Sequence, residues 1–165
     1  MIKKNTKIGD IFVVETDNNT QKYFQYIAND LLQLNSDVIR VFSQAYPLEA
    51  SPDLNKIVQG EVSFFAHTMT KLGIKMGLWK KVGNVEYNNN IQMLFRGAED
   101  SGSKPGEQVL VSEKWYIWKL GDSDFTYVGK LTGENVHAEI GSVKNPIDIV
   151  HRIKTGEYSY FYPGF

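Results

Sequence analysis

The sequence predicts an α+β fold, a strongly twisted antiparallel sheet with one well-formed helix near the carboxyl end and one short helix. Aromatic residues make up 13% of the 165 residues, which favours strands. Several short apolar runs alternate in period two and are separated by turn residues, whereas a single segment carries strong helix signals. A chain of this length buries enough surface for one core, so we expect residues 1–165 to form a single domain.

Three successive segments near the amino end predict a meander of three strands. They read IGDIFVVE, QKYFQYIAND and VIRVFSQAY, and residues 17–20 form a plausible turn between the first two. Further strands are expected in VSFFAHTMT, IQMLFRG, WYIWKL and DFTYVGKL. Residues 97–108, rich in Gly, Ser, Pro and charge, predict a surface loop.

The helix is predicted over residues 145–155. Asn145 can cap it, Pro146 suits its first position and Gly156 can end it. A second, short helix is predicted near residues 52–59, with Ser51 as its cap. In contrast, LGIKMGLWKKVGN is ambiguous: its three glycines argue against a helix interior and fit bulges or tight bends in strands.

The segment EKWYIWKL predicts a strand that is apolar on both faces. Trp115 and Ile117 share one face, and Tyr116 and Trp118 share the other. A helix, a second sheet layer or a partner must therefore cover each face. We expect Trp115 to be buried, with the helix at 145–155 packed over one face, and Tyr116 or Trp118 to reach a surface where an aromatic side chain can anchor a partner.

The charges of the chain are nearly balanced, with 18 Lys and Arg against 19 Asp and Glu and a net charge of -1. This balance argues against nucleic acid or an acidic membrane as a partner, and against stacking of nucleic-acid bases on the aromatic strand. One basic segment, KLGIKMGLWKK, contains Lys71, Lys75, Lys80 and Lys81 without an acid. It fits a solvated sheet edge, or a contact with an acidic patch of a protein partner.

Catalytic signatures are missing from the sequence. Without cysteine there are no disulfides and no thiolate ligands or nucleophiles, and the chain lacks a G-x-S-x-G elbow, a P-loop and a G-x-G-x-x-G motif. His67, His137 and His151 lack the spacing of a metal site, so we expect neither metal nor cofactor. His67 is interpreted as a satisfied strand histidine. The alternative is a small hydrolase or carbohydrate-acting enzyme that uses His67 with a carboxylate brought close by folding.

The order of short motifs resembles a known family. GDIF, DVIRVF, FFAHT, GLWKKVGN, LFRG, WYIWK and DIVHRIKTG follow one another between about residues 7 and 156. Together they resemble bacterial immunity proteins of polymorphic toxin systems, catalogued as immunity protein family twenty-six. The resemblance implies a small α+β protein that binds a toxin delivered by neighbouring bacteria, without catalysis, and it assigns no functional residues. It also implies a cytoplasmic location, in keeping with the absence of a signal-peptide or membrane-spanning pattern.

Overall fold

Eleven β-strands and three α-helices form the part of the chain that the computed structural model describes, which comprises residues 5–89, 92–101 and 105–165. The strands are β1 (Asp10–Thr16), β2 (Thr20–Asp30), β3 (Ser36–Phe42), β4 (Tyr46–Pro47), β5 (Val62–Thr68), β6 (Lys80–Asn84), β7 (Leu94–Ala98), β8 (Trp115–Lys119), β9 (Thr126–Gly129), β10 (Glu139–Ile140) and β11 (Val143–Lys144). The helices are α1 (Leu54–Ile57), α2 (Thr70–Lys75) and α3 (Pro146–Thr155), and a 3₁₀ turn covers Gly133–His137.

The larger of the two sheets contains the predicted meander. Its strand order is β11-β5-β3-β2-β1-β6, with β4 paired to β2 beside this path. All of its pairs are antiparallel except β11 with β5. Asn18 and Asn19 turn the chain from β1 to β2 with φ of 63° and 55°, a left-handed conformation that asparagine tolerates better than most residues. The meander is therefore confirmed.

The smaller sheet has the order β10-β7-β8-β9, so the single sheet that the sequence predicts is in fact two. The chain leaves the large sheet after β6, its edge strand, and crosses over one face. Tyr87 marks this crossing, since its ring lies 4.7 Å from the guanidinium carbon of Arg40 on β3. The following strands then build a second layer on that face.

The large sheet lies between two apolar layers, because its side chains alternate between its two faces. Ile39 of β3 contributes to the core beneath the helices, together with Ile149 and Ile153 of α3. Its neighbour Val38 points the opposite way, as period two requires, and packs with Trp118 of the small sheet. Helices α2 and α3 therefore cover one face of the large sheet, and the small sheet and α1 cover the other.

Helix α3 is confirmed with its predicted ends. The Asn145 side chain accepts a hydrogen bond from the backbone N–H of Ile147, Pro146 begins the helix, and Gly156 ends it with φ of 89°. The short helix α1 is also present, but its cap is Asp53, whose carboxylate accepts from the N–H of Asn55. The prediction of Ser51 as cap was wrong by two residues.

The first four residues of LGIKMGLWKKVGN belong to helix α2, contrary to the signal of its glycines, whereas its last five form strand β6. Gly73 lies inside this helix because the indole of Trp79 packs directly against its backbone. A Cβ at Gly73 would fall 1.9 Å from Cζ2 of Trp79. The glycine is thus required by a tertiary contact, which a local reading of helix propensity does not detect.

Both faces of the aromatic strand β8 are covered by the chain itself. Trp115 is confirmed as buried, with none of its surface exposed, and packs against Tyr162 and Phe165 of the carboxyl-terminal segment. Trp118 packs between the two sheets. The expectation that α3 covers β8 was wrong, because the apolar face of α3 is already buried against the large sheet.

Two mixed, largely antiparallel sheets with three helices confirm the α+β class. Within the described residues, no helix is both long and apolar enough to cross a membrane. The predicted loop at 97–108 begins as the last two residues of β7, and residues 102–104 of this loop lie outside the described part.

Candidate functional site

An aromatic stack lies at the turn between β8 and β9. Tyr116 and Trp118 are on the same face of β8, and their rings are nearly parallel with centroids 6.0 Å apart. Tyr116 lies across Gly97 of β7, its partner in the strand register, where a Cβ would be 2.3 Å from its phenol ring. The small sheet thus positions both rings of the stack.

The two predicted anchors differ in exposure. Tyr116 is half-buried, but Trp118 is only 1% exposed and packs with Ile27, Val38 and Phe95. The expectation that Trp118 reaches a surface is therefore corrected. It is buried because this face of β8 is turned toward the large sheet.

Phe125 occupies the outer position of the stack instead. Its ring lies 4.7 Å from that of Tyr116 and 4.8 Å from that of Trp118, and it is 46% exposed. Phe125 is not among the residues predicted from the sequence, although it is the second residue of the segment DFTYVGKL and directly follows the Gly-Asp-Ser-Asp turn. Its position as an aromatic residue at a hairpin turn is the feature of the sequence that could have indicated an exposed anchor.

Further exposed apolar side chains lie beside this stack. Gln33 donates a hydrogen bond from Nε2 to the carbonyl oxygen of Asp122, 2.9 Å away, and so joins the turn after β2 to the β8–β9 turn. The first of these turns exposes two leucines, and β9 exposes a tyrosine. We call this set the aromatic-end surface; it consists of Leu31, Leu32, Tyr116, Phe125 and Tyr127.

The charges around the aromatic-end surface are mainly acidic. Asp122 and Asp124 are exposed in the β8–β9 turn, and the exposed Lys119 precedes them. The Asp122 carboxylate accepts a hydrogen bond from the backbone N–H of Lys119 at 2.8 Å, which stabilises the turn. This surface therefore carries a small local excess of negative charge.

The four predicted lysines are exposed, but they do not form one patch with Tyr116. Lys71 and Lys75 belong to α2, which packs with α3 on the opposite face of the large sheet. Lys80 and Lys81 lie on the edge strand β6, where lysine discourages pairing with other chains. Lys81 is also engaged, with its Nζ 2.7 Å from the carboxylate of the buried Asp10.

His67 has an acidic neighbour but is closed off from solvent. Its Nε2 lies 2.8 Å from Oδ2 of Asp30, and both residues are buried in the core. Burial lowers the pKa of His67, although the Asp30 carboxylate acts in the opposite direction. The Phe95 ring packs against the imidazole at 4.3 Å, so that no substrate can reach the pair in this structure.

A groove of about 540 Å³ opens at the side of the small sheet. Phe65, Tyr87 and Met93 provide apolar lining, and Glu134 and His137 contribute polar groups. Among the hydrogen bonds of the described residues, none joins Glu134 to His137. Across the same ranges, no group of three or more His, Asp or Glu side chains is placed to hold a metal ion.

The family of the chain follows from comparison with known families. A family model described as immunity protein 26 matches residues 7–108, more than half of the chain. The protein therefore belongs to the immunity protein 26 family, and this membership implies an immunity protein that neutralises a cognate toxin. The match includes β1 to β7 but ends before β8 and α3, whose motifs contributed to the resemblance seen in the sequence. Searches of the curated proteins and of the solved structures give no match.

Proposed function

We propose that this protein acts in the cytoplasm by binding, without catalysis, a protein toxin delivered by neighbouring bacteria. Membership of the immunity protein 26 family supports toxin neutralisation. The enclosed His67–Asp30 pair supports the non-catalytic mode, because an acid-base pair needs contact with a substrate. The remaining question is which surface meets the toxin.

The exposure of the aromatic-end surface is the observation that supports it as the toxin-binding site. Phe125 and Tyr127 are 46% and 59% exposed, and a cluster of large exposed apolar side chains is typical of an interaction site. Aromatic side chains that are already packed against neighbours, as Phe125 is against Tyr116 and Trp118, are efficient anchors, because little conformational entropy is lost when they are buried. Tight neutralisation in the nanomolar range corresponds to about -12 kcal/mol and an interface of roughly 1,600 Å².

Charge favours a toxin surface with basic residues around an apolar patch. Asp122 and Asp124 flank the stack and would attract such a surface, so association should slow as salt is added. The exposed lysines of α2 and β6 remain a second proposed location, and they would select an acidic partner instead. The first location therefore requires a basic toxin surface, and the second requires an acidic one.

Binding of purified candidate toxin domains, taken from secreted proteins encoded by neighbouring genes, tests the proposal. We expect Phe125→Ala combined with Tyr127→Ala to weaken binding by about 100-fold, because two anchors are lost. Tyr160→Ala combined with Phe161→Ala is the matched control, since these residues are exposed aromatics of the carboxyl-terminal segment. It should change affinity by less than about threefold.

A lysine variant distinguishes an error in the proposed binding surface from an error in the proposed toxin-binding function. If Lys71→Gln with Lys75→Gln weakens binding and the Phe125 and Tyr127 variant does not, the interface lies on α2 and the immunity function stands. If the wild-type protein shows no binding to the toxin domain while both are folded, toxin binding itself is contradicted.

A further inference from the structure

A small pocket of about 230 Å³ opens between the small sheet and the end of α3. Arg96 of β7 and Arg152 of α3 both line it, with Tyr158 beside them. Glu139 is also part of the lining, and Glu157 lies exposed in it. The pocket is separate from the aromatic-end surface and from the groove beside the small sheet.

Three cationic side chains, Arg96, Arg152 and Lys144, lie in or behind this pocket, together with the acids Glu139 and Glu157. Arg152 is paired with Glu139, with Nη1 2.9 Å from Oε2 and Nη2 3.3 Å from Oε1. Arg96 donates to the carbonyl oxygen of Ala138, and the buried Lys144 bonds to the hydroxyl of Ser142. Of the three cations, Arg152 alone has a carboxylate as its hydrogen-bond partner among the described residues.

A cation without a carboxylate partner is costly in such a half-buried place. Desolvation and the nearby charge of Arg152 lower the pKa of Lys144 to about 8, although Glu139 and Asp148 oppose the shift. Nε of Arg96 is buried and has no hydrogen-bond partner within the described part of the chain. Buried donors and charges normally have partners, so an anion in the pocket would stabilise this arrangement.

Aromatic rings hold both guanidinium groups in place. The carbon at the centre of the Arg152 guanidinium lies 4.0 Å from the Phe64 ring centroid, and that of Arg96 lies 4.8 Å from the Phe165 ring centroid. Trp115 also packs on Arg96, at 5.2 Å. Because the donors of a guanidinium lie in its plane, this packing restricts their direction and leaves less entropy to lose when an anion binds.

We propose that this pocket binds a small oxyanion group, a phosphate or a carboxylate, through Arg96 and Arg152. Planar guanidinium groups match both anions with paired hydrogen bonds. The pocket volume accommodates a single such group.

Calorimetric titration at constant ionic strength tests the proposal, with inorganic phosphate in one arm and N-acetylglutamate N-methylamide in the other. We expect saturable binding of at least one of them, and the comparison shows whether the source is free phosphate or a peptide carboxylate. Arg96→Gln should weaken it at least tenfold. Glu139→Gln should strengthen it several-fold, because it removes a negative charge beside Arg152.

Lys154→Gln is the matched control, since it removes an exposed positive charge from the same helix and should change affinity less than about twofold. If Arg96→Gln does not fold, Arg96→Lys keeps the charge, loses the paired donors and should still bind more weakly. Two results would overturn the site. One is the absence of saturable binding of either anion, and the other is equal weakening by the Arg96 and Lys154 variants.

Discussion

Trp115 is the residue on which the small sheet and the carboxyl-terminal segment meet. It is fully buried, and its indole N–H donates to the carbonyl oxygen of Ser112 at 2.8 Å. We expect Trp115→Ala to lower the free energy of unfolding by about 3–5 kcal/mol, because it leaves a cavity and an unpaired carbonyl. Urea denaturation measures the change. The control Tyr127→Ala, at an exposed ring, should cost less than about 1 kcal/mol, and an unchanged midpoint for Trp115→Ala would refute the packing.

His67 makes stability depend on pH in a defined direction. Because burial lowers its pKa, the unfolded chain binds this proton more readily than the folded one. The contribution of neutral His67 to the free energy of unfolding is therefore fully present above the ordinary histidine pKa of 6.5. It is lost as the pH falls through the lowered pKa that His67 has in the folded protein. We expect the free energy of unfolding of His67→Gln to decline less steeply than that of the wild type below pH 6.5. Parallel curves from denaturation at several pH values would contradict this.

The His67→Gln substitution also distinguishes a structural role of His67 from a catalytic one. Toxin affinity of folded His67→Gln should stay within about tenfold of the wild type, or 1.4 kcal/mol, because the imidazole is enclosed. The sequence indicated that His67 lies on an apolar strand, but it could not identify Asp30 as its partner. That contact joins residues 37 positions apart and depends on the pairing of β2, β3 and β5.

At the scale of elements, α2 shows how packing overrides local preference. In an open helix, Gly73→Ala would add roughly 1 kcal/mol of stability. Here the new methyl group would overlap the Trp79 indole, which itself donates a hydrogen bond to the carbonyl oxygen of Thr70. We therefore expect Gly73→Ala to destabilise the protein by about 1–3 kcal/mol in urea denaturation. Lys71→Ala in the same helix is the control, and stabilisation by Gly73→Ala would show that the contact is absent.

Helices and strands whose sequence signals lie within a few residues could be predicted. Those that depend on contacts with distant parts of the chain could not. The ends of α3 follow from Asn145 and Gly156, which act within a few residues. The two-residue strands β10 and β11 have no such pattern, since each exists through parallel pairing with a distant strand. Similarly, the alternation in β8 predicted two buried faces. It could not distinguish a second sheet layer from a helix or a partner as the cover.

At the scale of the molecule, we propose that the chain folds as one domain. Trp118 and Phe95 of the small sheet share a core with Ile27 and Val38 of the large one. Loss of either sheet would expose this core, so both should unfold together. Tryptophan fluorescence and far-ultraviolet circular dichroism should therefore give coincident thermal transitions. Two separated transitions would instead indicate domains that fold independently.

Immunity in living cells is the most direct test of the proposed function. Candidate toxin domains from secreted proteins encoded by neighbouring genes are each expressed from an inducible promoter in a bacterial host, alone or together with this protein. We predict that cells die with the toxin alone and survive with both, and that Phe125→Ala with Tyr127→Ala reduces survival while the Tyr160 and Phe161 control does not. If cells still die while both wild-type proteins are folded and abundant, neutralisation of this toxin is contradicted.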